Sequence, residues 1–257
     1  NFKTNRCGES FMILKIVWLY ARDMNIYGDY GNILALEKRA ELRGIQTEIV
    51  KYNPGDIFPD DADIVIGGGG QDSGQSRVQD DLVKIAPKLH DLARRNVPML
   101  MICGLYQLFG DFFETLDGEK IEGTCLFKGV KTYGGKKRII GNIIEHSDEF
   151  GTVLGYENHS GQTYLSAAVN PFARVKKGVG NNFVGDYEGA RYKNVIGTYL
   201  HGALLPKNPA ITDWLIEKAC ENKGINLPNF VSDKHNQVKK LEHITKLARE
   251  FAQKRPR

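Results

Sequence analysis

Three short apolar segments of this 257-residue chain each end on residues that could do chemistry. Residues 97–102 precede Cys103, residues 195–200 precede His201, and residues 62–66 precede a run of four glycines at 67–70. A thiol becomes a strong nucleophile when a nearby base takes its proton, and histidine is the usual base near pH 7. Cys103 and His201 are therefore a candidate catalytic pair. The alternative is that both are structural residues, which is the commoner role of a lone cysteine.

The residues around Cys103 favour a reactive thiol. A helix is predicted from residue 105, so Cys103 stands between a strand and a helix N-terminus, where free N–H groups stabilise a thiolate. Such a turn presents the next backbone N–H, that of Gly104, to an oxyanion. Gly69 and Gly70 are predicted to turn further N–H groups toward the same charge. The glycines could instead form an ordinary tight turn, and the run lacks the Gly-Lys-Ser/Thr of a phosphate-binding loop.

The elements that must position these residues alternate between strand and helix. Apolar runs predict strands at residues 14–20, 47–52, 62–66, 97–102 and 195–200, and helical spacing predicts helices at 31–43, 78–95, from 105, and at 212–223. This alternation predicts an α/β fold with a mostly parallel sheet that is covered on both faces. Ligands of such sheets bind at the carboxyl ends of the strands, where Cys103, His201 and the glycines would meet.

The middle of the chain has a different pattern. Residues 115–165 are rich in turn signals, with short strands predicted at 125–130 and 139–144, so we expect a small antiparallel β insertion. A loop is predicted at 170–193 and a last, polar helix at 235–254. The predicted organisation is an N-terminal extension at 1–11 before Met12, one α/β domain at 12–224, and a polar helix with a basic tail at 225–257.

Composition excludes several classes of protein. The formal net charge is only +4, which gives no support for nucleic-acid binding. Four cysteines in so long a chain, with no CxxC pair, favour a reducing compartment and give no zinc or redox site; they are Cys7, Cys103, Cys125 and Cys220. We predict no metal site. The apolar run near the start is about half the roughly 20 residues that a membrane span needs, so we expect a cytoplasmic protein.

Three segments make the sequence similar to a known family. They are GGGGQDSGQ from residue 67, ICGLYQL around Cys103 and GTYLHG around His201. Together they resemble the class I glutamine amidotransferases of the cobyric-acid-synthase (CobB/CobQ) type. Further segments at 27–40, 155–165 and 204–220 are similar to those of the glutaminase subunits of lipid II isoglutaminyl synthases. The resemblance extends over residues 13–224 and implies a flavodoxin-like, doubly wound fold.

The resemblance implies a role for each matching residue. Cys103 would attack the carboxamide carbon of L-glutamine, which releases ammonia and leaves a glutamyl thioester, and His201 would move the protons. Arg138, in KKRIIGNI, would hold the glutamine α-carboxylate, because a guanidinium binds a carboxylate at two points. On the sequence alone Arg138 is an exposed arginine at a strand end.

The sequence departs from the family pattern at two positions. Ala203 stands two residues after His201, where triad enzymes of this class carry a glutamate, and Met101 stands two residues before Cys103, where a small residue is usual. The carboxylate that orients His201 would then be Asp29, Glu157 or a residue of a partner subunit, or it would not exist.

The resemblance also implies a partner. The chain has no nucleotide-binding motif, so we expect no cofactor on it; ATP and Mg²⁺ would act on a Mur-ligase-like synthetase subunit (MurT) in a heterodimer. Ammonia would there amidate the D-glutamate of lipid II in peptidoglycan biosynthesis. Two alternatives stay open: an amidotransferase subunit for another acceptor, such as a corrin or other cofactor acid, and a catalytically silent α/β binding module.

Overall fold

The computed structural model describes residues 2–4 and 10–255. The predicted extension at 1–11 is therefore described only in part, and Cys7 and Arg257 lie outside the described residues. Within the extension, the backbone of Phe2–Thr4 (β1) pairs antiparallel with the first residues of Ser10–Leu19 (β2).

The other elements follow along the chain. The strands are β3 (Gln46–Tyr52), β4 (Ile64–Gly67), β5 (Met99–Ile102), β6 (Phe112–Glu114), β7 (Lys120–Glu122), β8 (Lys131–Ser147), β9 (Gly151–Tyr164), β10 (Ala173–Lys177), β11 (Tyr187–Glu188), β12 (Ala190–Tyr192), β13 (Val195–Thr198) and β14 (Leu200–His201). The helices are α1 (Tyr30–Leu42), α2 (Asp72–Arg94), α3 (Gly104–Leu108), α4 (Leu204–Lys207), α5 (Pro209–Asn222) and α6 (His235–Lys254), with a 3₁₀ turn at Ser232–Lys234.

A central sheet carries the glycine run and the candidate nucleophile at one edge. Its strands lie in the order β3–β2–β4–β5–β13–β12, and all these pairs are parallel except β12 with β13. The five parallel strands have the flavodoxin-like order 2-1-3-4-5 when counted along the chain. Every residue of β4, β5 and β13 is buried, as parallel strands covered on both faces require. The predicted α/β fold with a mostly parallel sheet is confirmed.

The helices pack on this sheet through their apolar sides. In α2 the large buried apolar residues recur every three or four positions; they are Val78, Leu82, Ile85, Leu89 and Leu92. This spacing places them on one side of the helix. Helix α1 packs against α4 and α5, whereas α2 packs against α3 and β7.

The predicted insertion is a second sheet built on a long hairpin. Strands β8 and β9 pair antiparallel, and β6 and β10 flank β8. The register of the hairpin shifts between Gly134 and Ile139. This irregular stretch takes Arg138 out of the regular ladder and toward the carboxyl ends of the central strands.

The chain passes from the first sheet to the second immediately before His201. Strand β13 pairs with β5 in the central sheet, whereas β14 pairs with β9 in the second sheet. At the crossing, Glu188 accepts hydrogen bonds from the Tyr199 N–H at 2.6 Å and from the Thr198 hydroxyl at 2.9 Å. Because these bonds replace the missing ladder partners, Glu188 fixes the backbone that carries His201.

Two predictions of secondary structure were wrong. Residues 125–130 form turns and not a strand, because Phe127 and its apolar neighbours are buried by packing and Cys125 has a φ of +53°. The predicted loop at 170–193 contains β10, β11 and β12, since these short strands complete the edges of the two sheets. The predicted helix after Cys103 is confirmed as α3, which ends after five residues because the chain turns into β6 near Gly110.

The predicted polar C-terminal helix is α6, in which Val238 is buried and nearly all other residues are partly or fully exposed. Arg249 fixes it to the domain by donating to the Lys207 carbonyl, the Asn208 side-chain oxygen and the Thr152 carbonyl at 2.7–2.9 Å. Within residues 2–4 and 10–255, no helix is long and apolar enough to cross a membrane.

Three glutamates on strands of the second sheet, Glu145, Glu157 and Glu188, are fully buried. Burial and the nearby charges of Glu188 and Glu157 raise the pKa of Glu145 well above its usual range. Burial likewise raises the pKa of Glu188, and the charge of Glu157 adds to the effect. Both oxygens of Glu145 lack a hydrogen-bond partner among the described residues, so nothing stabilises its charged form.

These raised pKa values predict a pH-dependent stability. The folded chain retains protons that the unfolded chain releases above pH ~4.3, so the free energy of unfolding decreases as pH rises from there. Glu145→Gln removes one such group. We expect the fall in Tm between pH 6 and pH 9, measured by calorimetry, to become shallower by up to about 3 °C per pH unit. The exposed Glu242→Gln is the matched control; equal slopes in both variants would contradict this assignment.

Candidate active site

The backbone of Cys103 is strained in the way a nucleophile elbow requires. Cys103 lies between β5 and α3 with a φ of +50°, a region that non-glycine residues rarely adopt. Its N–H donates to the Thr198 carbonyl at 2.8 Å, which holds the turn against β13. Gly67 makes room for the side chain of Met101, because a Cβ at position 67 would lie 2.9 Å from the Met101 sulphur.

His201 and Asp29 form a buried pair beside this cysteine. His201 Nδ1 lies 3.1 Å from Asp29 Oδ1, and both side chains are almost completely buried. An imidazole nitrogen facing a carboxylate donates its proton, so Nε2 is the nitrogen left for Cys103 and a substrate. A Cβ at Gly69 would lie 2.6 Å from His201 Cε1 and 3.2 Å from Cys103 Cβ. The thiol and the imidazole therefore pack against the same glycine.

The charge of this pair is set by its neighbours. Burial lowers the pKa of His201, but the negative charges of Cys103 and Asp29 outweigh burial and raise it to about 10. At neutral pH the imidazole therefore carries a second proton, on Nε2, next to the sulphur. This arrangement supplies an acid for a leaving group at the place where the thiol attacks.

The predicted oxyanion-hole glycines take two different positions. The Gly69 N–H donates to Asp29 Oδ2 at 2.6 Å, so it holds the carboxylate and is not directed at a substrate. Gly70 and Gly104 lie side by side, since a Cβ at Gly104 would be 3.1 Å from the Gly70 nitrogen. The side chain of Met24 packs against Gly70, so a Cβ at position 70 would require Met24 to move. The amides of Gly70 and Gly104 are the remaining donors next to Cys103.

Arg138 faces the same cavity as Cys103. The cavity has a volume of about 470 Å³, and its wall includes Cys103, Gln107, Tyr27 and Arg138. Arg138 Nε donates to Asn158 Oδ1 at 2.7 Å, and its Nη2 donates to the Tyr27 hydroxyl at 3.0 Å. A guanidinium held in this way at the mouth of a cavity is suited to a carboxylate.

Glu157, the second predicted orienting carboxylate, lies elsewhere. It is buried on β9, opposite Leu200, and its carboxylate accepts hydrogen bonds from the Val179 and Gly180 amides at 2.9–3.3 Å. The Glu157 carboxylate therefore bonds to the backbone of the second sheet's loop at residues 179–180, next to the crossing that carries His201. Of the two candidates, Asp29 is the one hydrogen-bonded to His201.

A row of hydrogen-bonded buried side chains under the elbow was not predicted from the sequence. Gln75 donates to the Gln107 side-chain oxygen at 2.7 Å, and Gln107 donates to the Tyr199 hydroxyl at 3.1 Å. The Tyr199 hydroxyl continues to Thr163. These hydrogen bonds connect α2, the elbow, the crossing before His201 and the β insertion. No local pattern indicates these bonds, because Gln107 lies 32 residues from Gln75 and 92 residues from Tyr199.

His159, on β9, is a weaker candidate than His201 from the sequence, and it lies in the wall of the same cavity. Its ring stacks on Tyr199 with centroids 3.6 Å apart, and its Nδ1 faces the Gly161 carbonyl at 2.8 Å. Burial, together with the nearby charges of His201 and Arg138, lowers the pKa of His159 to about 3. His159 is therefore neutral at working pH and cannot replace His201 as an acid.

No metal site accompanies these residues in the described part of the chain. There, no three His, Cys, Asp or Glu side chains lie close enough together to hold a metal ion.

Comparison with known proteins identifies the family of this chain. Residues 15–209 match the model of the CobB/CobQ-like glutamine amidotransferase domain. The chain belongs to this family. It is 42% identical over 213 residues to the GatD subunit of a glutamine-hydrolysing lipid II isoglutaminyl synthase from Staphylococcus aureus (strain N315). The aligned residues make up 82% of this chain and 86% of the relative. The corresponding subunit from Streptococcus pneumoniae (strain ATCC BAA-255 / R6) is 36% identical, over 84% and 85% of the two chains.

More distant relatives agree with this assignment. A probable cobyric acid synthase from Methanothermobacter thermautotrophicus is 29% identical over 74% of this chain but only 39% of its own length. A solved glutamine amidotransferase structure has the same fold, with a TM-score of 0.53, 15% identity, and coverage of 79% of this chain and 98% of that one. As a member of the family, the protein is a glutamine amidotransferase.

The Asp29–His201 bond predicts the effect of Asp29→Asn. An amide loses the negative charge that holds the imidazolium, so we expect glutamine hydrolysis, measured as glutamate release, to fall about 100-fold or more. The pKa of His201 should also fall, which moves the alkaline limb of the kcat/KM profile to lower pH. The matched control is Asp61→Asn, at the opposite ends of the strands, where Asp61 pairs with Lys15. Near-wild-type activity of Asp29→Asn would contradict the role of this carboxylate.

Proposed function

We propose that this chain is the glutamine-hydrolysing subunit of a lipid II isoglutaminyl synthase. The observation that carries the proposal is the buried His201–Asp29 pair against the strained Cys103, in one cavity with Arg138. The GatD names of the two similar bacterial subunits supply the acceptor. L-glutamine is the substrate, and ammonia is the product that the synthase uses.

Glutamine binds with its two ends at opposite sides of the cavity. Arg138 holds the α-carboxylate, because a charge-assisted pair of this kind is strong and directional. The carboxamide then lies against Cys103, with its oxygen toward the Gly70 and Gly104 amides. Binding at both ends fixes the reacting carbon near the sulphur, which lowers the entropic part of the barrier.

The chemistry follows from the proton on His201. The Cys103 sulphur attacks the carboxamide carbon, and the negative charge that develops on the oxygen is stabilised by the two glycine amides. The C–N bond breaks as the Nε2 proton of His201 passes to the leaving nitrogen, which gives ammonia and a glutamyl thioester. Water then loses a proton to His201 and attacks the thioester, so that the C–S bond breaks and glutamate leaves.

Asp29 orients His201 from within the chain. Its carboxylate fixes the ring with Nδ1–H toward Oδ1, which leaves Nε2 for the reaction. A carboxylate from a partner subunit is therefore not required for this task, although Ala203 replaces the usual glutamate.

The acceptor is activated on a second subunit. We infer that a Mur-ligase-like subunit (MurT) binds ATP and Mg²⁺, activates the D-glutamate carboxylate of lipid II, and receives the ammonia in a heterodimer. The absence of a nucleotide-binding motif from this sequence supports this division. A reaction that needs ATP and a free thiol belongs in the cytoplasm.

A corrin or other cofactor acid is a weaker candidate for the acceptor. The cobyric acid synthase relatives are less similar, and this chain corresponds to only about a third of their length. A silent binding module is disfavoured because Cys103, His201 and Asp29 form a complete catalytic arrangement.

Covalent labelling tests the nucleophile. A glutamine-like electrophile such as 6-diazo-5-oxo-norleucine should modify Cys103, and Cys103→Ser should lose both labelling and glutamine hydrolysis while it stays folded. Burial raises the pKa of the Cys125 thiol, so Cys125→Ser is the matched control and should label like the wild type. Mass spectrometry that placed the label on Cys125 or Cys220 would contradict the assignment.

Isotope transfer tests the complete reaction. With the ligase partner, ATP, Mg²⁺ and lipid II, glutamine carrying ¹⁵N in its side-chain amide should transfer the isotope to the stem peptide. The Cys103→Ser complex should amidate lipid II with ammonium chloride but not with glutamine, because only the ammonia source is lost. Amidation by neither source, or equal amidation of a corrin acid, would count against lipid II as the acceptor.

A further inference from the structure

Tyr27 lies at the mouth of the cavity and touches both ends of the site. Its hydroxyl accepts a hydrogen bond from Arg138 Nη2 at 3.0 Å. The edge of its ring meets the ring of His201, with centroids 5.0 Å apart and an interplanar angle of 74°. Tyr27 also lines the cavity that contains Cys103, although the residue is 45% exposed. No step described above uses this side chain.

The backbone at Tyr27 is strained. Its φ of +53° lies in the left-handed region, which a bulky side chain rarely adopts. Such strain persists where the surrounding contacts hold it, and it is concentrated at binding and catalytic sites. Here the contacts to Arg138 and His201 hold the ring over the cavity.

The contacts of Arg138 define which part of its guanidinium is left for a ligand. Nε donates to Asn158 and Nη2 donates to Tyr27, so both bonds lie along one edge of the planar group. A guanidinium has five N–H donors, and the edge formed by Nη1 and Nη2 still points two of them outward. A carboxylate that binds there lies beside the Tyr27 hydroxyl.

The Tyr27 hydroxyl has a proton to give to that carboxylate. A phenol that accepts a hydrogen bond from an arginine keeps its own O–H as a donor. Because Arg138 polarises the phenol oxygen, the O–H becomes a stronger donor. The hydroxyl and the guanidinium thus present donors to the same anion from adjacent directions.

We propose that Tyr27 is a second substrate-binding residue, whose hydroxyl donates to the α-carboxylate of glutamine while it fixes the guanidinium of Arg138. The inference rests on the proposed glutaminase function and adds a specificity determinant to it. Tyr27 selects substrates that carry a free α-carboxylate, and Asn158 assists as a positioning residue for Arg138.

Tyr27→Phe tests the proposal, because it keeps the ring and removes only the hydroxyl. We expect KM for glutamine to rise about tenfold or more, as the loss of a hydrogen bond to a charged group implies, and kcat to stay within about threefold. Tyr30→Phe is the matched control. Tyr30 is similarly exposed, begins α1, and stacks on Trp18 outside the cavity, so its variant should keep wild-type constants.

A second substrate identifies the group that Tyr27 contacts. Glutamine α-amide lacks the α-carboxylate, so Tyr27→Phe should lower kcat/KM for glutamine but leave kcat/KM for the α-amide near the wild-type value. Equal losses for both substrates, an unchanged KM, or a lower KM would overturn the role of Tyr27 and leave the glutaminase function intact. If the wild-type chain hydrolysed no glutamine, alone or with its ligase partner, the proposed function would fail, and this inference with it.

Discussion

The carboxylate of Asp29 is the point on which the rest of the site depends. One oxygen faces His201 Nδ1 and the other accepts the Gly69 N–H, so a single buried group joins the start of α1, the glycine run after β4 and the end of β14. A buried carboxylate is stable only when its oxygens are paired. The same two bonds that satisfy its charge therefore fix the imidazole and the glycine against which Cys103 packs.

This arrangement accounts for the residue at position 203. A Cβ at Gly31 would lie 2.6 Å from the Cβ of Ala203, so α1 approaches position 203 closely and Gly31 leaves room for the methyl group of Ala203. The approach of α1 also brings Asp29, one residue before the helix, to His201. The close packing of Gly31 on Ala203 thus allows Asp29 to orient His201. Asp29 does here what a glutamate at position 203 would do.

The β insertion contributes as much to the site as the central sheet does. It supplies Arg138 from the irregular stretch of β8, and it holds the far side of the crossing that delivers His201. The polar chain from Gln75 through Gln107 and Tyr199 to Thr163 connects the two sheets directly below Cys103. Because each member is buried and hydrogen-bonded, a displacement of one sheet relative to the other breaks these bonds, which keeps nucleophile and base in register.

The sequence by itself determined the alternation of strands and helices, and with it the parallel sheet and the meeting of Cys103, His201 and the glycines at one edge. These features depend on local periodicity and on the geometry of a parallel sheet, in which the carboxyl ends of all strands lie on the same side. The family resemblance added Arg138, whose side chain the structure brings to the same cavity.

Only the tertiary structure decided between Asp29 and Glu157, assigned the Gly69 amide to a carboxylate, and brought Tyr27 to Arg138 across 111 positions of sequence. Asp29 and Glu157 both lie in segments that match the family, so the sequence alone does not distinguish their roles. Their roles separate because hydrogen bonds between distant residues depend on how helices and sheets pack, and no local pattern encodes that packing.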